Sequence, residues 1–423
     1  MANPGYKIST IDGLGRAAVA TRDFAIGDLV ISEPPLLVLP FGRRPEHPSW
    51  EKLSQALTAV AHAHVGDSDG SRPASAAEVA EGQQQASAIV TFLDLSETDR
   101  NAVLTKFAAP PLDTPQPSVD LLKAFAKTAS SFGSMPSEKE LQQLLLVLAT
   151  NAHEFFENEE LSVGLYEQGS KLAHSCSPKT VYLGDGRTLK HYALQPIKTG
   201  DIITTSYTVR DDIRACHPTH LRRALLLSSK FFHCECTRCT APDYLRTIPC
   251  ATCKAPITPT TSCSAGCPPT AYPTSIEERL EKSIAEATIP FDNPFATGPE
   301  IMNAFKRVGV VAGTSTMALG PQHWISNWVL PFQAMQMRSS GDAAGAGKKA
   351  IAWCRWSRDM IRPHYPHIHA RHLVSMGMLC VRGPEREEYI KIANGALAWA
   401  SPVFMGGEEA VRRLAMLAEG RVQ

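Results

Sequence analysis

Cysteines are concentrated in one short stretch, and this clustering constrains the fold more than any other feature. Seven of the eleven cysteines lie between positions 234 and 267, and the first three form the run Cys234-Glu-Cys-Thr-Arg-Cys239. Tetrahedral zinc takes four ligands, so this run predicts a structural zinc site whose fourth thiolate comes from elsewhere in the fold. Cys176 is the candidate for that position. The alternative is that these cysteines form only a packing or redox cluster.

The other four clustered cysteines form two close pairs, Cys250-Ala-Thr-Cys253 and Cys263-Ser-Ala-Gly-Cys267. This spacing is typical of a small zinc knuckle. In a reducing compartment such clustering indicates metal binding rather than disulfides. The alternative is a flexible loop that carries free cysteines. The remaining cysteines are isolated, and we expect them to be small buried hydrophobic residues: Cys216, Cys354 and Cys380.

The charge balance excludes several classes of function. Lys plus Arg and Asp plus Glu both number 42, so the formal net charge is zero. Such a chain has no global field to attract nucleic acid or an anionic membrane. No apolar run approaches the roughly 20 residues of a membrane span, and the N-terminal residues lack the apolar core of a signal peptide. We therefore expect a cytoplasmic and/or nuclear protein without direct nucleic-acid or membrane binding.

Hydrophobic patterning predicts strands at both ends of a helical region. Short strands are expected over 6–40, loop and frayed helix over 41–88, and helices over 89–158. Asp67–Arg72 and Glu81–Ser87 are polar and poor in large apolar residues, so mobility is expected there. Ser96-Glu-Thr-Asp99 is a helix-start signature. Strands are expected again at Thr180–Leu183 and Leu189–Leu194 around the turn Gly184-Asp-Gly186, and at Ile202–Tyr207. A helix is predicted at Thr219–Ser229, and helices are predicted from about 272 to the end.

Several short motifs occur in a fixed order along this pattern. They are Gly13-Leu-Gly15-Arg16, Asn151, Ser170-Lys-Leu-Ala-His-Ser-Cys-Ser-Pro178, Tyr207, and Phe231-Phe232 directly before the first cysteine run. In this order they resemble the SET-domain lysine methyltransferases, and within them the SMYD type. SMYD proteins carry a MYND zinc finger soon after the first strands, whereas residues 41–88 contain no cysteine.

The resemblance implies S-adenosylmethionine and zinc as cofactors and assigns roles to individual residues. Tyr207 matches the active-site tyrosine, and Lys230 and Phe231 match the substrate channel. Zinc would be bound by Cys176, Cys234, Cys236 and Cys239. The residues that match the cofactor site are Gly13, Gly15, Arg16, Asn151, Ser170, Lys171, Leu172, Ala173, His174, Tyr207 and Phe232.

Two positions depart from the family pattern. Ala173 stands where the family has an asparagine that bonds the cofactor, and the loss of a hydrogen bond to a charged ligand costs on the order of 1.5–3 kcal/mol. Lys230 stands where many relatives place a second active-site tyrosine. A charged lysine would repel both the sulfonium and a substrate lysine. Lys230 therefore points away, or is deprotonated, or accompanies a changed chemistry. A further alternative is that the alignment is shifted by one residue and Phe231 fills the space of the tyrosine without its hydroxyl.

The predicted fold class is α+β, a SET-type β fold of short sheets with a helical insertion, a zinc-bound post-SET segment and an all-α C-terminal domain. The predicted boundaries are 1–43 for the N-terminal part of the SET domain, 44–150 for the helical insertion, 151–230 for the C-terminal part of the SET core, 231–271 for the post-SET segment, and 272–423 for the C-terminal domain. The C-terminal helices could form a TPR-like array.

The leading functional hypothesis is an S-adenosylmethionine-dependent protein-lysine N-methyltransferase that acts on a protein or peptide by in-line transfer to a neutral amine. Such catalysis depends on alignment in a narrow, dry channel. One alternative is a SET fold that has lost turnover and serves as a scaffold, with partners at the C-terminal helices. Another is a pocket repurposed for a small molecule, in which Lys230 acts as a general acid or base.

Overall fold

The computed structural model describes residues 4–40, 45–64, 73–111, 114, 116–157, 160–183, 186–208, 212–292, 298–405 and 407–421. The chain divides into two compact units. Unit 1 comprises Met1–His174, Lys179–Thr205 and Arg223–Cys234, and unit 2 comprises Ser175–Pro178, Ser206–Arg222 and Glu235–Gln423. The chain combines helices with short sheets and has a helical C-terminal region, as the sequence predicted.

The strands are short and lie mostly in unit 1. They are β1 (Tyr6–Ile11), β2 (Gly15–Ala20), β3 (Leu29–Glu33), β4 (Leu37–Pro40), β5 (His153–Glu157), β6 (Glu160–Leu165), β7 (Ala173–His174), β8 (Thr180–Leu183), β9 (Leu189–Ala193), β10 (Thr204–Thr205), β11 (Ile248–Pro249) and β12 (Pro256–Ile257).

The helices fall into an inserted group and a C-terminal group. The inserted group is α1 (Trp50–His64), α2 (Ala76–Leu93), α3 (Glu97–Lys106), α4 (Pro117–Ser130) and α5 (Glu138–Asn151). Three further helices follow β10, namely α6 (Asp212–Ala215), α7 (Thr219–Lys230) and α8 (Thr237–Thr240). The C-terminal group is α9 (Thr274–Asp292), α10 (Gly298–Leu319), α11 (Trp324–Trp328), α12 (Leu330–Ser339), α13 (Ala343–Trp356), α14 (Pro366–Val381), α15 (Arg386–Asn394), α16 (Pro402–Met405) and α17 (Glu408–Ala418).

The sheets of unit 1 join segments that are distant in the chain. The β1–β2 hairpin is antiparallel, β9 lies between β3 and β8, and β6 lies between β4 and β5. The two short strands β7 and β10 pair in parallel. The expected pairing of β8 with β9 is confirmed, while residues 184 and 185 of its turn lie outside the described residues. The strand predicted over 202–207 is present only as β10, so Tyr207 follows the strand instead of ending it.

The helical insertion corrects one sequence-based expectation. Residues 45–88 are largely α1 and α2, not loop and frayed helix, and the predicted mobile loop at 67–72 lies outside the described residues. A Cβ added at Gly82 would come within 2.4 Å of the Thr58 backbone nitrogen, so the two helices pack closely. The stretch 81–87, which was expected to be mobile, lies within α2, and Gly82 permits this contact.

Local capping explains where the inserted helices begin. Ser75 and Glu78 form a capping box at the start of α2, and Ser137 and Glu140 form one at the start of α5. The predicted start of α3 is confirmed, because the Ser96 hydroxyl accepts a hydrogen bond from the Asp99 backbone N–H at 3.1 Å. Such caps satisfy N–H groups that have no partner inside the helix. Within the described residues, no helix has both the length and the apolar character needed to cross a membrane.

Unit 2 has a helical core that contains an unusual set of buried histidines. A π-helix at Ser357–Ile361 follows α13, and the Ser357 hydroxyl bonds Nδ1 of His372 at 2.7 Å and Nδ1 of His369 at 3.0 Å. Burial lowers the pKa of His367, His369 and His372 to about 3 in each case, and nearby basic side chains add to the effect. These histidines are therefore neutral in the folded protein at neutral pH.

We predict that unit 2 loses stability as the pH falls below about 6.5. The unfolded chain gains protons near that pH, whereas the folded protein resists them down to about pH 3, so each histidine costs about 2 kcal/mol of stability at pH 5. Thermal unfolding between pH 7 and pH 5 measures the loss. His369→Gln should reduce the fall, and the exposed control His64→Gln should not. Identical profiles for both variants would contradict the assignment.

Candidate functional site

The first candidate cofactor residues converge on one backbone carbonyl in unit 1. The Arg16 guanidinium donates to the Lys106 carbonyl oxygen at 2.9 Å, and Lys171 Nζ donates to the same oxygen at 2.7 Å. Lys171 Nζ also donates to the Ser170 hydroxyl at 2.7 Å. Gly13, which precedes Arg16, has a positive φ of 73°, so the β1–β2 turn uses the left-handed backbone that glycine adopts at little cost. The structure thus brings together residues from both predicted cofactor motifs.

The charge of this cluster is concentrated and partly desolvated. Lys171 is only 7% exposed, and its ammonium lies 5.3 Å from the centre of the Phe107 ring. Burial and the positive charge of Arg16 together lower the pKa of Lys171 to about 8. Glu167 opposes this shift and pairs with Lys106 at 2.6 Å. A basic cluster of this kind favours an anionic group such as a carboxylate.

A partly buried carboxylate holds the turn that leads into the candidate adenosine segment. Both oxygens of Glu33 accept hydrogen bonds, from the backbone N–H groups of Gln168 and Gly169. A Cβ on Gly169 would lie 2.2 Å from a Leu189 methyl carbon, so glycine fits this close approach. Burial raises the pKa of Glu33, and the two backbone hydrogen bonds oppose the rise. The turn continues into Leu172, which is fully buried.

The end of this segment contacts the aromatic pair. The rings of His174 and Phe232 lie 5.8 Å apart between their centroids, in a tilted arrangement. Ala173 and His174 form β7, which pairs in register with β10. Phe231 packs against the core of the helical insertion and has a positive φ of 62°. A non-glycine residue in this region is strained, and such strain is often found at functional sites.

Asn151 is held by hydrogen bonds at the end of α5. Its side-chain amide nitrogen donates to the Ala108 carbonyl at 2.7 Å and to the Val147 carbonyl at 3.0 Å. These contacts fix the last turn of α5 against the segment that follows α3. The role of Asn151 in cofactor binding remains a prediction.

The ammonium group of Lys230 lies on the C-terminal end of α5. Its Nζ donates to the Thr150 carbonyl at 2.8 Å and to the Ala149 carbonyl at 3.3 Å. Carbonyl groups in the last turn of a helix lack partners inside the helix and carry partial negative charge. The charge of Lys230 is therefore compensated by the helix end, and the place of Lys230 in a substrate channel remains a prediction.

Tyr207 belongs to unit 2 and is largely buried. Burial raises the pKa of its hydroxyl to about 12. The side chain is therefore a neutral hydrogen-bonding group at physiological pH. Its predicted place at the cofactor remains a prediction.

The first set of cysteines is brought together by the fold. The sulfurs of Cys176 and Cys239 are 3.5 Å apart, and the Cys176 backbone N–H donates to the Cys236 sulfur at 3.4 Å. Cys234 directly precedes the stretch Glu235–Gln423 of unit 2 in the chain, and all four sulfur atoms lie within 4.8 Å of one another. Four thiols in this arrangement match the ligand set of a closed, structural zinc site.

Two buried arginines surround these thiols. Arg222 donates to the Cys239 sulfur at 3.4 Å and is 1% exposed, and Arg238 donates to the Cys176 carbonyl at 3.1 Å. Burial opposes a charged Arg222, but Cys176 and Cys239 raise its pKa above the ordinary value. Buried guanidinium groups require compensating negative charge. Four thiolates with one zinc ion carry a net charge of about −2, which complements two arginines.

The second set of cysteines also converges in unit 2. The sulfur atoms of Cys250, Cys253, Cys263 and Cys267 lie within 4.8 Å of one another. The two predicted groupings of cysteines are therefore present in the structure.

Comparison with known proteins gives partial matches. No family model matches the chain. A SET and MYND domain-containing protein of Dictyostelium discoideum is 30% identical over 134 residues, which are 30% of this chain and 25% of that protein. The human N-lysine methyltransferase SMYD2 is 34% identical over 104 residues, which are 24% of this chain and 23% of that enzyme. The chain thus matches about a quarter of the length of these curated relatives.

A viral protein and a solved structure extend the comparison. A putative SET domain-containing protein of Acanthamoeba polyphaga mimivirus is 32% identical over 95 residues, or 22% of this chain and 34% of that protein. A crystal structure of the SET domain of LSMT bound to lysine and AdoHcy covers 99% of this chain and 87% of its own, at 13% identity and a TM-score of 0.31, which is too low to define a shared fold. The sequence matches confirm the resemblance to SET-domain proteins of the SMYD type.

Sequence reasoning missed several residues that organise the candidate site. Glu33, Lys106 and Phe107 lie outside every motif, and they act through backbone and ring contacts that no spacing rule indicates. Arg222 and Arg238 were also missed. The sequence could have indicated these two arginines, because both lie within or close to a cysteine-rich stretch. A buried charge in such a stretch would need a partner.

We predict that Lys230→Met destabilises the protein by about 0.5–1.5 kcal/mol, because α5 loses a charged group at its C-terminal end. Chemical denaturation measures the change. Lys52→Met, which alters an exposed lysine of α1, is the matched control and should have little effect. Equal stability of Lys230→Met and the control would show that the contact with α5 contributes nothing.

We further predict that Glu33→Gln loosens the turn at 168–171. A neutral amide can accept from only one of the two backbone N–H groups, and its own N–H₂ faces the other. Hydrogen exchange of a peptide that covers 166–174 should be at least about tenfold faster. Glu46→Gln, at an exposed position, serves as the control. Unchanged protection of that peptide would refute the holding role of Glu33.

Proposed function

We propose that the protein is an S-adenosylmethionine-dependent protein-lysine N-methyltransferase of the SET type. The observation that supports this most is the convergence of Arg16 and Lys171 on the Lys106 carbonyl, because it unites two motifs that lie far apart in the sequence. Lys171 also donates to the Ser170 hydroxyl. The partial match to SMYD2, an N-lysine methyltransferase, supports the same reaction class.

The proposed cofactor site has a basic part and an apolar part. Arg16 and Lys171 would hold the carboxylate of the cofactor, since both are cations and Lys171 is desolvated. The segment 172–174 and the Phe232 ring would contact the adenosine, because they provide a buried leucine and an aromatic surface. S-adenosylmethionine, when bound, supplies the methyl group. The donor set fits this cofactor except at Ala173, which offers no side-chain hydrogen bond.

The proposed catalytic contribution of the protein is orientation. Tyr207 keeps its proton, with a pKa of about 12, and would donate a hydrogen bond without adding charge to the site. A substrate lysine must be neutral to accept the methyl group, and desolvation in a narrow channel lowers the pKa of an amine. Phe231 would provide an apolar wall of that channel. Lys230 would stay outside this channel, with its ammonium group bonded to the Thr150 carbonyl at the end of α5.

The zinc proposed at the first cysteine set has a structural role. Cys176, Cys234, Cys236 and Cys239 would occupy all four positions of a tetrahedral ion, which leaves none for water or substrate. Its function would be to fix residue 176, directly after the predicted adenosine segment, to the run that follows the aromatic pair. The expected partner is a protein or peptide substrate in the cytoplasm and/or nucleus.

A scaffold without turnover is the second candidate, and Ala173 is the observation that favours it. The missing asparagine would weaken cofactor binding roughly 10- to 150-fold if one hydrogen bond to a charged ligand is lost. In that case the C-terminal helices would present the functional surface. The contacts of Lys230 favour neither candidate over the other, but they remove the electrostatic objection to the enzyme.

We predict that the protein binds S-adenosylmethionine and transfers a radiolabelled methyl group to proteins of a cell extract. Tyr207→Phe should lower transfer at least about 100-fold while cofactor affinity changes little, because the hydroxyl acts on alignment in the transition state. Titration calorimetry and scintillation counting measure the two quantities. Tyr244→Phe, at a tyrosine that is 59% exposed, is the control.

Three outcomes separate the candidates. Binding with transfer into protein supports the methyltransferase. Absence of binding at high micromolar cofactor contradicts it and leaves the scaffold. Binding without transfer into any protein also contradicts the proposed substrate class and favours a small-molecule acceptor.

A further inference from the structure

The segment 241–272 of unit 2 has little apolar core of its own. Its regular structure comprises a short 3₁₀ helix at Tyr244–Arg246 and the two-residue pairing of β11 with β12, Ile248 with Ile257 and Pro249 with Pro256. Its buried hydrophobic cluster comprises Ile248, Cys250 and Ile257. A core of this size is too small to order about thirty residues, and natural segments of this kind are held by disulfides or a metal ion.

The four cysteines of this segment have the positions that a tetrathiolate ion requires. The sulfurs of Cys253 and Cys263 are 3.3 Å apart, and all four sulfurs lie within 4.8 Å of one another. Zinc–sulfur bonds of about 2.3 Å place the sulfurs of a tetrahedral site about 3.8 Å apart. None of these cysteines forms a disulfide.

The backbone around both cysteine pairs is arranged as in a metal-binding turn. Lys254 follows the first pair with a φ of +64°, and Gly266 precedes the last cysteine with a φ of +69°. The Lys254 N–H donates to the Cys250 carbonyl at 3.1 Å, and the Gly266 N–H donates to the Cys263 carbonyl at 3.0 Å. Each turn thereby directs two sulfurs to the same side.

A hydrogen-bond donor lies beside the most buried sulfur. The Cys250 sulfur is fully buried, and the Thr270 hydroxyl donates to it at 3.7 Å. Outer donors of this kind orient thiolate ligands and stabilise their charge. A lone group of free thiols in a mobile loop would not require them.

We propose that Cys250, Cys253, Cys263 and Cys267 bind a second structural zinc ion, and that this ion holds the two ends of the segment against one buried carboxylate. The site is closed to substrate, since all four positions are thiolates. It does not depend on the proposed methyltransferase activity.

The carboxylate is that of Glu277, at the first turn of α9. Arg246, four residues before Cys250, forms an ion pair with it, and the Tyr272 hydroxyl, five residues after Cys267, donates to it at 3.3 Å. Nε2 of His323 lies 3.1 Å from the same oxygen and 3.0 Å from the Tyr272 hydroxyl. Glu277 is 1% exposed, so it requires these partners.

The segment also packs closely on the turn that follows α10. A Cβ added at Gly320 would lie 2.6 Å from Pro249 Cδ, and Gly320 has a φ of +83°. Residues on both sides of the cysteines therefore contact the rest of unit 2 at defined points. An ion that fixes residues 250–267 shortens the free length between Arg246 and Tyr272, and this reduces the entropy lost when both bind Glu277.

Metal content tests the site directly. Protein purified without added chelator should contain two zinc ions per chain, and Cys253→Ser and Cys236→Ser should each contain one. Ser264→Ala, an exposed change between two of the ligands, should retain two. Two ions in Cys253→Ser would overturn the proposal, as would one ion in the wild type that disappears in Cys236→Ser.

Cobalt substitution covers the case in which a variant fails to fold. Wild-type protein reconstituted with Co²⁺ should bind two ions per chain, both with the intense visible bands and sulfur-to-metal charge transfer of tetrathiolate coordination. Binding of a single ion would overturn the proposal. A disulfide between any of these four cysteines in freshly isolated protein, detected by thiol titration and peptide mapping, would also overturn it.

A double-mutant cycle tests the link to Glu277. Tyr272→Phe should lower the Tm of the wild type more than it lowers the Tm of Cys253→Ser, because the segment is already loosened in the second background. Additive effects would refute the link, while the zinc count still decides the site. S-adenosylmethionine binding should stay within about threefold of wild type in Cys253→Ser. This readout separates failure here from failure of the proposed enzyme.

Discussion

The association of thiols with buried arginines is the interaction on which the first cysteine cluster depends. Arg222 and Arg238 are both almost fully buried, and each bonds an atom of a clustered cysteine. Asp243 lies close enough to raise the pKa of both guanidinium groups, and zinc-bound thiolates would add further negative charge beside them. The two arginines are therefore compatible with the charged form of the cluster. The hydrogen bond from Arg238 to the Cys176 carbonyl also fixes residue 176, which follows the predicted adenosine segment.

Part of this architecture could be predicted from the sequence, because the signals were local. Cysteine spacing indicated both clusters, and the helix-start signature at Ser96 indicated α3. Interactions that depend on distant segments were not visible. The Glu33 carboxylate bonds the backbone of residues 168 and 169, and backbone amides have no sequence signature. Composition also misled at 81–87, where a polar stretch poor in large apolar residues suggested mobility. These residues lie in α2, and Gly82 permits close packing of two helices.

The two departures from the family pattern have different physical weight. A cation at position 230 is compensated by the carbonyls of Ala149 and Thr150, because a helix end attracts positive charge. Alanine at position 173 cannot be compensated in this way, since a methyl group has no donor or acceptor. Binding of the proposed cofactor would then depend more on the basic pair Arg16 and Lys171.

This shift would make cofactor binding sensitive to the charge of Lys171. With a pKa of about 8, the side chain is largely protonated at pH 7 and loses its proton as the pH approaches 9. The ammonium form bonds the Lys106 carbonyl and the Ser170 hydroxyl, and an anion bound nearby would raise the pKa further. Binding of a carboxylate and retention of the proton are therefore linked, and each stabilises the other. Burial lowers the pKa of the free lysine. The same burial strengthens the attraction between its ammonium group and a bound anion, because little water is present to screen the two charges.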